Sequence, residues 1–212
     1  MRQGFTFAFA LLLVASPAAA GTIEDIQGRG VVTCAVPAQS LGISEKAASG
    51  RSGLAIDLCS LLAAAVLGRA EALAFVEVGA EDGAVALQAG EADVLFSPQP
   101  WRMSQEVEDG VMLVQPLLFR ASDAAVFGPV VRQGDDAWFV SLRWLLLALK
   151  AEPGAVNPDA AARVATGLGL DLRWIENIGS VSKDYAALLE RHMKVLESQG
   201  WVAFEGSGAA TW

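Results

Sequence analysis

One histidine, two cysteines and one tyrosine in 212 residues leave little for metal or redox chemistry to work with. Two cysteines and a histidine far apart in the chain do not make a zinc site, so no metal and no cofactor is expected. Positive charge is also scarce: 15 Lys and Arg stand against 24 Asp and Glu, a formal net charge of −9. Nucleic acid and anionic membrane surfaces are bound through excess positive charge, so neither is an expected partner. Charged residues make up only 18% of the chain against 53% hydrophobic ones. That balance excludes a disordered or fibrous protein. No apolar run reaches the ~20 residues that span a bilayer. Phe5 to Ala15 falls short, and Trp138 to Leu149 is both short and interrupted by Arg143, which lipid would penalise.

The N-terminal run has another reading. Arg2, the apolar stretch Phe5 to Ala15, Ser16-Pro17 and then Ala18-Ala19-Ala20 have the order of a cleaved secretory signal. Residues 1–20 are therefore expected to be removed, leaving a periplasmic chain of residues 21–212 with one core and no membrane span. Export gives the cysteines a meaning, because thiols outside the cytoplasm meet oxidising conditions. A bridge between Cys34 and Cys59 is favoured over two buried free thiols, and it would close a loop worth about 3 kcal/mol.

Periodicity divides the rest. Thr22 to Asp25 opens a short capped helix, Gly28-Arg29-Gly30 turns the chain, and Val31 to Val36 is a strand. Ile56 to Val66 has helical spacing and stops at Gly68, Ala72 to Val78 is a second strand, and Asp82 caps a helix through Gln88. Ala92 to Ser97 is a third strand. This β-α-β-α-β order predicts an α/β fold with a parallel sheet covered on both faces, and such sheets bind ligands beyond the carboxyl ends of their strands. The loops Pro37 to Ser52 and Pro98 to Gly110 lie there. Helices are expected over Asp136 to Lys150, Asp159 to Thr166 and Lys183 to Leu196.

The residues resemble a known family. Gly30 to Gly68, with Cys34, the Ala48 to Leu54 turn, Asp57 and Cys59, is similar to the first lobe of periplasmic solute-binding protein family 3, the amino-acid receptors of ABC importers, and is nearest the general L-amino-acid type. Leu87 to Leu95 follows that pattern. So do Gly128 to Phe139 and Gly169-Leu170-Asp171 with Trp174, Asn177, Ile178, Tyr185, Glu190 and Arg191. The resemblance implies a type II periplasmic-binding-protein fold, a non-enzymatic role, and a ligand clamped between two lobes. Only about fifteen residues, Val111 to Ala125, stand where the second lobe would be inserted, a deficit of about 100 residues. One lobe is expected: a βαβαβ part over 21–110, a shortened crossover over 111–127, and a returning strand with C-terminal helices over 128–212.

The ligand site inherited through the resemblance is altered. Its segment reads Pro98, Gln99, Pro100, Trp101, with Gln105 where the family carries the arginine that holds the ligand carboxylate. Proline has no N–H to donate, and a neutral amide forms a hydrogen bond about half as strong as a charged one. Amino-acid binding is expected to be weak or lost. Arg102 is read as an exposed loop residue, and Trp101 equally as a stacking platform or a structural residue. Asp135-Asp136 is read as a helix cap, and His192 as a solvated surface residue. Without a second lobe, Val111 to Phe119 is expected to lie exposed, so a second copy or an inner-membrane protein would cover it. No nucleophile elbow, phosphate-cradling loop or histidine-rich spacing points to catalysis.

Overall fold

The computed structural model describes residues 21–48, 50–151 and 155–204; the expected signal segment and its cleavage site lie outside the described residues. The first part comprises α1 (Thr22–Arg29), β1 (Val32–Pro37), β2 (Glu45–Ala47), β3 (Gly50–Ser52), α2 (Leu54–Leu67), β4 (Leu73–Val78), α3 (Gly83–Gln88) and β5 (Val94–Leu95). Then come β6 (Gln99–Pro100), α4 (Met103–Glu108), β7 (Val111–Leu113), β8 (Leu118–Arg120), β9 (Ala125–Phe127) and β10 (Val130–Arg132). The C-terminal part is α5 (Asp136–Lys150), α6 (Pro158–Leu168), α7 (Trp174–Val181), α8 (Tyr185–Ser198) and β11 (Trp201–Ala203).

The main sheet has the order β4-β1-β5-β10-β7. β1 is parallel to β4 and β5, whereas β10 runs antiparallel to β5 and β7. The βαβαβ order thus produces the expected parallel strands, and the returning strand inserts in reverse. Covering is uneven. β1 is buried along most of its length, but β4 is an edge strand, half-buried, with Glu77 exposed. A second, antiparallel sheet of order β11-β8-β9-β6 was not legible from periodicity.

α2 is the hub of the core. Of its 14 residues 11 are buried, so it is apolar all round, as a helix must be when packed on several sides. It lies against β1 and is enclosed by α1, α5, α7 and α8. Gly68 ends it in a left-handed conformation (φ 69°), its N–H donating to the Ala64 carbonyl. Cys59 on α2 is joined to Cys34 on β1 by the expected disulfide, with Cα atoms 6.5 Å apart and both residues fully buried.

Three expectations change. Thr22 does not cap α1 but lies inside it; its N–H donates to Asp135 Oδ2 (2.9 Å) and its hydroxyl accepts from Arg132 Nη2 (2.9 Å). The Val111 to Phe119 run is not an exposed apolar patch. Val111, Leu117 and Leu118 are at most 2% exposed, because the run supplies strands to both sheets. His192 is not solvated: its Nε2 lies 3.0 Å from Asp57 Oδ2, an atom that also accepts from Arg191 Nη1 at 3.0 Å, so the charged face of α8 is turned onto α2. Asp135 does cap α5, accepting from the Trp138 N–H.

Asp93, 5% exposed, anchors the amino end of β5. Its carboxylate accepts from Arg29 Nη2 (2.7 and 2.8 Å) and from the Thr33 N–H (2.7 Å). Burial nevertheless raises its pKa above the ordinary 3.8, since these hydrogen bonds and the half-exposed Arg29 do not offset desolvation. A carboxyl with a raised folded pKa binds its proton more tightly in the folded state. Its stabilising contribution is complete below pH 3.8 and is lost as pH rises through the folded pKa. Urea unfolding at increasing pH should show this falling limb in the parent and a flatter one in Asp93→Asn; an unchanged limb would contradict the assignment.

Candidate functional site

At the carboxyl ends of β1, β4 and β5 the chain forms an open cleft of about 480 Å³. Its walls are the 37–40 loop after β1, Val78 and Ala80 after β4, Ser97 and Pro98 after β5, and Arg120 from β8. Strand ends gather loops at one edge of a parallel sheet, which is why the cleft sits there.

The loop after β1 is fixed from two directions. Ser40 and Ser44 pair through both backbone groups (2.7 and 2.8 Å), and the Gly42 and Ile43 carbonyls accept from the Leu54 and Ala55 N–H groups at the start of α2. Close approach is possible only because residue 53 is glycine: its φ is 123°, and a Cβ there would lie 2.4 Å from the Ile43 carbonyl oxygen. Arg51, on β3, donates through Nη1 to Ser44 Oγ (2.6 Å) and through Nη2 to Glu77 on β4. Lys46 joins the same carboxylate, and hydrogen bonds from Lys46 and Arg51 hold Glu77 below the usual carboxylate range.

Arg120 comes from the hairpin β8–β9, in the segment where the resemblance would place an inserted lobe. The hairpin strands pair Leu118 with Phe127 and Arg120 with Ala125, and Ala124 turns the chain at φ 54°. Arg120 closes the turn with two hydrogen bonds to Asp123, Nε to Oδ1 at 2.9 Å and Nη2 to Oδ2 at 2.7 Å. Its guanidinium also lies 4.4 Å from the centre of the Trp201 ring. The pairing raises the Arg120 pKa and holds Asp123 below the usual range.

The residues singled out from sequence are dispersed by this geometry. Pro98 lines the cleft. Gln99 and Pro100 form β6 and pair with Val126 and Ala125. Trp101 is partly buried against the cluster that contains Ala35, Val78 and Leu87. Gln105 caps α4: its Oε1 accepts the Arg102 N–H at 2.9 Å, and its own N–H donates to the Arg102 carbonyl. Of the two loops expected to hold a ligand, the first supplies four residues lining this cleft and the second Pro98 alone; Ser40, Ser97 and Arg120 were not singled out. Ser40 was legible only as a member of the first loop and Ser97 only as the end of the third strand, and Arg120 was concealed at the end of an apolar run.

No protein-family model matches the chain. Among curated proteins, YhdW of Escherichia coli (strain K12), named as an amino-acid ABC transporter-binding protein, is 24% identical over 86% of this chain and 88% of its own. That alignment is 299 residues long, longer than this chain, so YhdW carries positions that have no counterpart here. The general L-amino acid-binding periplasmic protein AapJ of Rhizobium johnstonii is 33% identical over 47% of this chain and 30% of AapJ. Among solved structures, a periplasmic binding protein from Brucella ovis with glutathione bound superposes with a TM-score of 0.68 at 18% identity, covering 82% of this chain and 91% of its own. The cysteine-binding protein of Campylobacter jejuni gives 0.58 at 11% identity, covering 88% and 100%. The chain shares the fold of these periplasmic binding proteins as a single partial lobe, and the relatives it resembles in sequence are named as amino-acid-binding proteins.

Proposed function

We propose that the chain is an exported, non-enzymatic solute-binding protein of amino-acid transport whose grip on free amino acids is weak. One observation carries this reading: the cleft stands at the strand ends where ligands bind in such sheets, but the β8–β9 hairpin ends the chain's excursion after a four-residue turn, leaving the cleft open and without an opposing lobe among the described residues. A ligand in an open half-site keeps its contact with water, and ion pairs exposed to water contribute about 0–1 kcal/mol each. Gln105, at the position of the family's arginine, is spent on capping α4. Relatives named as amino-acid and periplasmic binding proteins support the solute class and the periplasmic location. No helix among the described residues is long and apolar enough to cross a membrane.

The interaction-protein alternative, docking on an inner-membrane partner through the former inter-lobe surface, and the homodimer expected for a single-lobed receptor both drew on exposure of Val111 to Phe119. With that run built into the sheets, no observation favours either. Calorimetric titration of the exported chain with the twenty amino acids is expected to give dissociation constants weaker than about 10 μM, roughly 7 kcal/mol of binding free energy. A tighter complex would overturn the weak-binding reading.

A further inference from the structure

We infer that Arg120, on the hairpin that stands where a second lobe is absent, is the anion-recognising residue of the cleft, and that it takes small solutes by their carboxylate. This deepens the solute-binding reading above and rests on it. Among the described residues Arg120 is the one charged residue lining the cleft. Two of its nitrogens, Nε and Nη2, are held by Asp123, and its planar face is held against Trp201, so the side chain is fixed before any ligand arrives. Nη1 makes no hydrogen bond among the described residues and keeps its two donors for an incoming acceptor. A guanidinium oriented on one edge and open on another suits a carboxylate, which it binds with little further loss of side-chain freedom.

A second pair of groups faces the same space. The hydroxyls of Ser40 and Ser97 line the cleft and have no hydrogen-bond partner among the described residues, although Ser97 is only 5% exposed. Neither hydroxyl oxygen is sealed from solvent, and each can donate to a ligand oxygen that enters the cleft. Asp123 sets the strength of the site: its negative charge, held below the usual carboxylate range by Arg120, competes for the same guanidinium and limits affinity. The two neighbouring charges leave the site close to neutral, consistent with weak binding.

The test uses the exported chain, amide-resolved nuclear magnetic resonance, and three probes of similar size: propionate, L-alanine and L-alaninamide, which lacks the carboxylate. Propionate and L-alanine are expected to shift the amides of Ser40, Ser97 and Arg120 in a saturable way, and L-alaninamide to leave them unmoved. Arg120→Gln should weaken propionate binding by about three- to fivefold, the loss of an ion pair that stays in contact with water. Asp123→Asn should strengthen it several-fold. Equal response to alanine and alaninamide, no shift at any of the three amides, or Arg120→Gln and Asp123→Asn variants that retain the parent's spectrum and its propionate affinity would each overturn the assignment. The probe comparison needs no variant and stands even if a substitution disturbs the hairpin. Tight binding that depends on Arg120 would overturn the weak-receptor reading alone, and weak binding indifferent to Arg120 would overturn this one alone.

Discussion

Replacing Trp138 by alanine is expected to lower the free energy of unfolding by about 3–5 kcal/mol, the range for truncating a buried aromatic side chain. Trp138 is 1% exposed, near the start of α5, and its indole N–H donates to the Asp93 carbonyl at 2.8 Å. Its backbone N–H is taken by Asp135, whose other carboxylate oxygen accepts from Thr22. One residue thus joins α5 to β5, and its cap joins α5 to α1. Trp138→Phe keeps most of the ring volume and loses the indole hydrogen bond, so its cost should be smaller by about half. Urea unfolding of the three proteins at matched pH measures both steps; a Trp138→Ala variant within about 1 kcal/mol of the parent would contradict the packing described.

The second large effect is expected from the disulfide. Cys34→Ala with Cys59→Ala removes a crosslink between residues 25 apart, and in the chain-entropy account the loss is about 3 kcal/mol at room temperature. Both sulfurs are buried between β1 and α2, so cavity formation adds to that figure. The effect bears on the cleft as well as the core. β1 runs directly into the 37–40 wall, and α2 begins at the residues that hold Gly42 and Ile43. Thermal unfolding with and without reductant should move the parent's transition down toward that of the double variant and leave the double variant where it is. A parent indifferent to reductant under conditions that expose the bond would contradict the prediction.

Which parts of this architecture were legible beforehand follows from how much each element depends on distant neighbours. α2 and α5 carry their signal locally, in apolar periodicity and in the residues that start and stop them, and they appear within two residues of expectation. The second sheet does not. β6, β8, β9 and β11 are two or three residues long and exist because distant segments pair, which no local period records. α4 and α7 were missed although α3 and α1, of the same six and eight residues, were read from the residues that flank them; α4 begins immediately after a stretch rich in proline and offers no such start signal. Burial was misjudged where it depended on topology. Val111 to Phe119 looked exposed only on the assumption that nothing replaced the missing lobe, and His192 looked solvated because its helix face is charged, although the opposing charge is Asp57 on α2. The candidate site divides in the same way. The loops were identified from strand order, but the arginine that lines the cleft comes from a hairpin recognisable only once the strands are paired.

The hairpin turn itself has a consequence for how such proteins gain and lose parts. Its four residues, 121–124, are all exposed, and the strands on either side are already paired with each other. Chain can therefore be spliced in or cut out at this point while both flanking strands keep their register, because the entropy of a longer excursion grows only slowly with its length. A domain gained or lost at this one junction would leave the rest of the scaffold as it is.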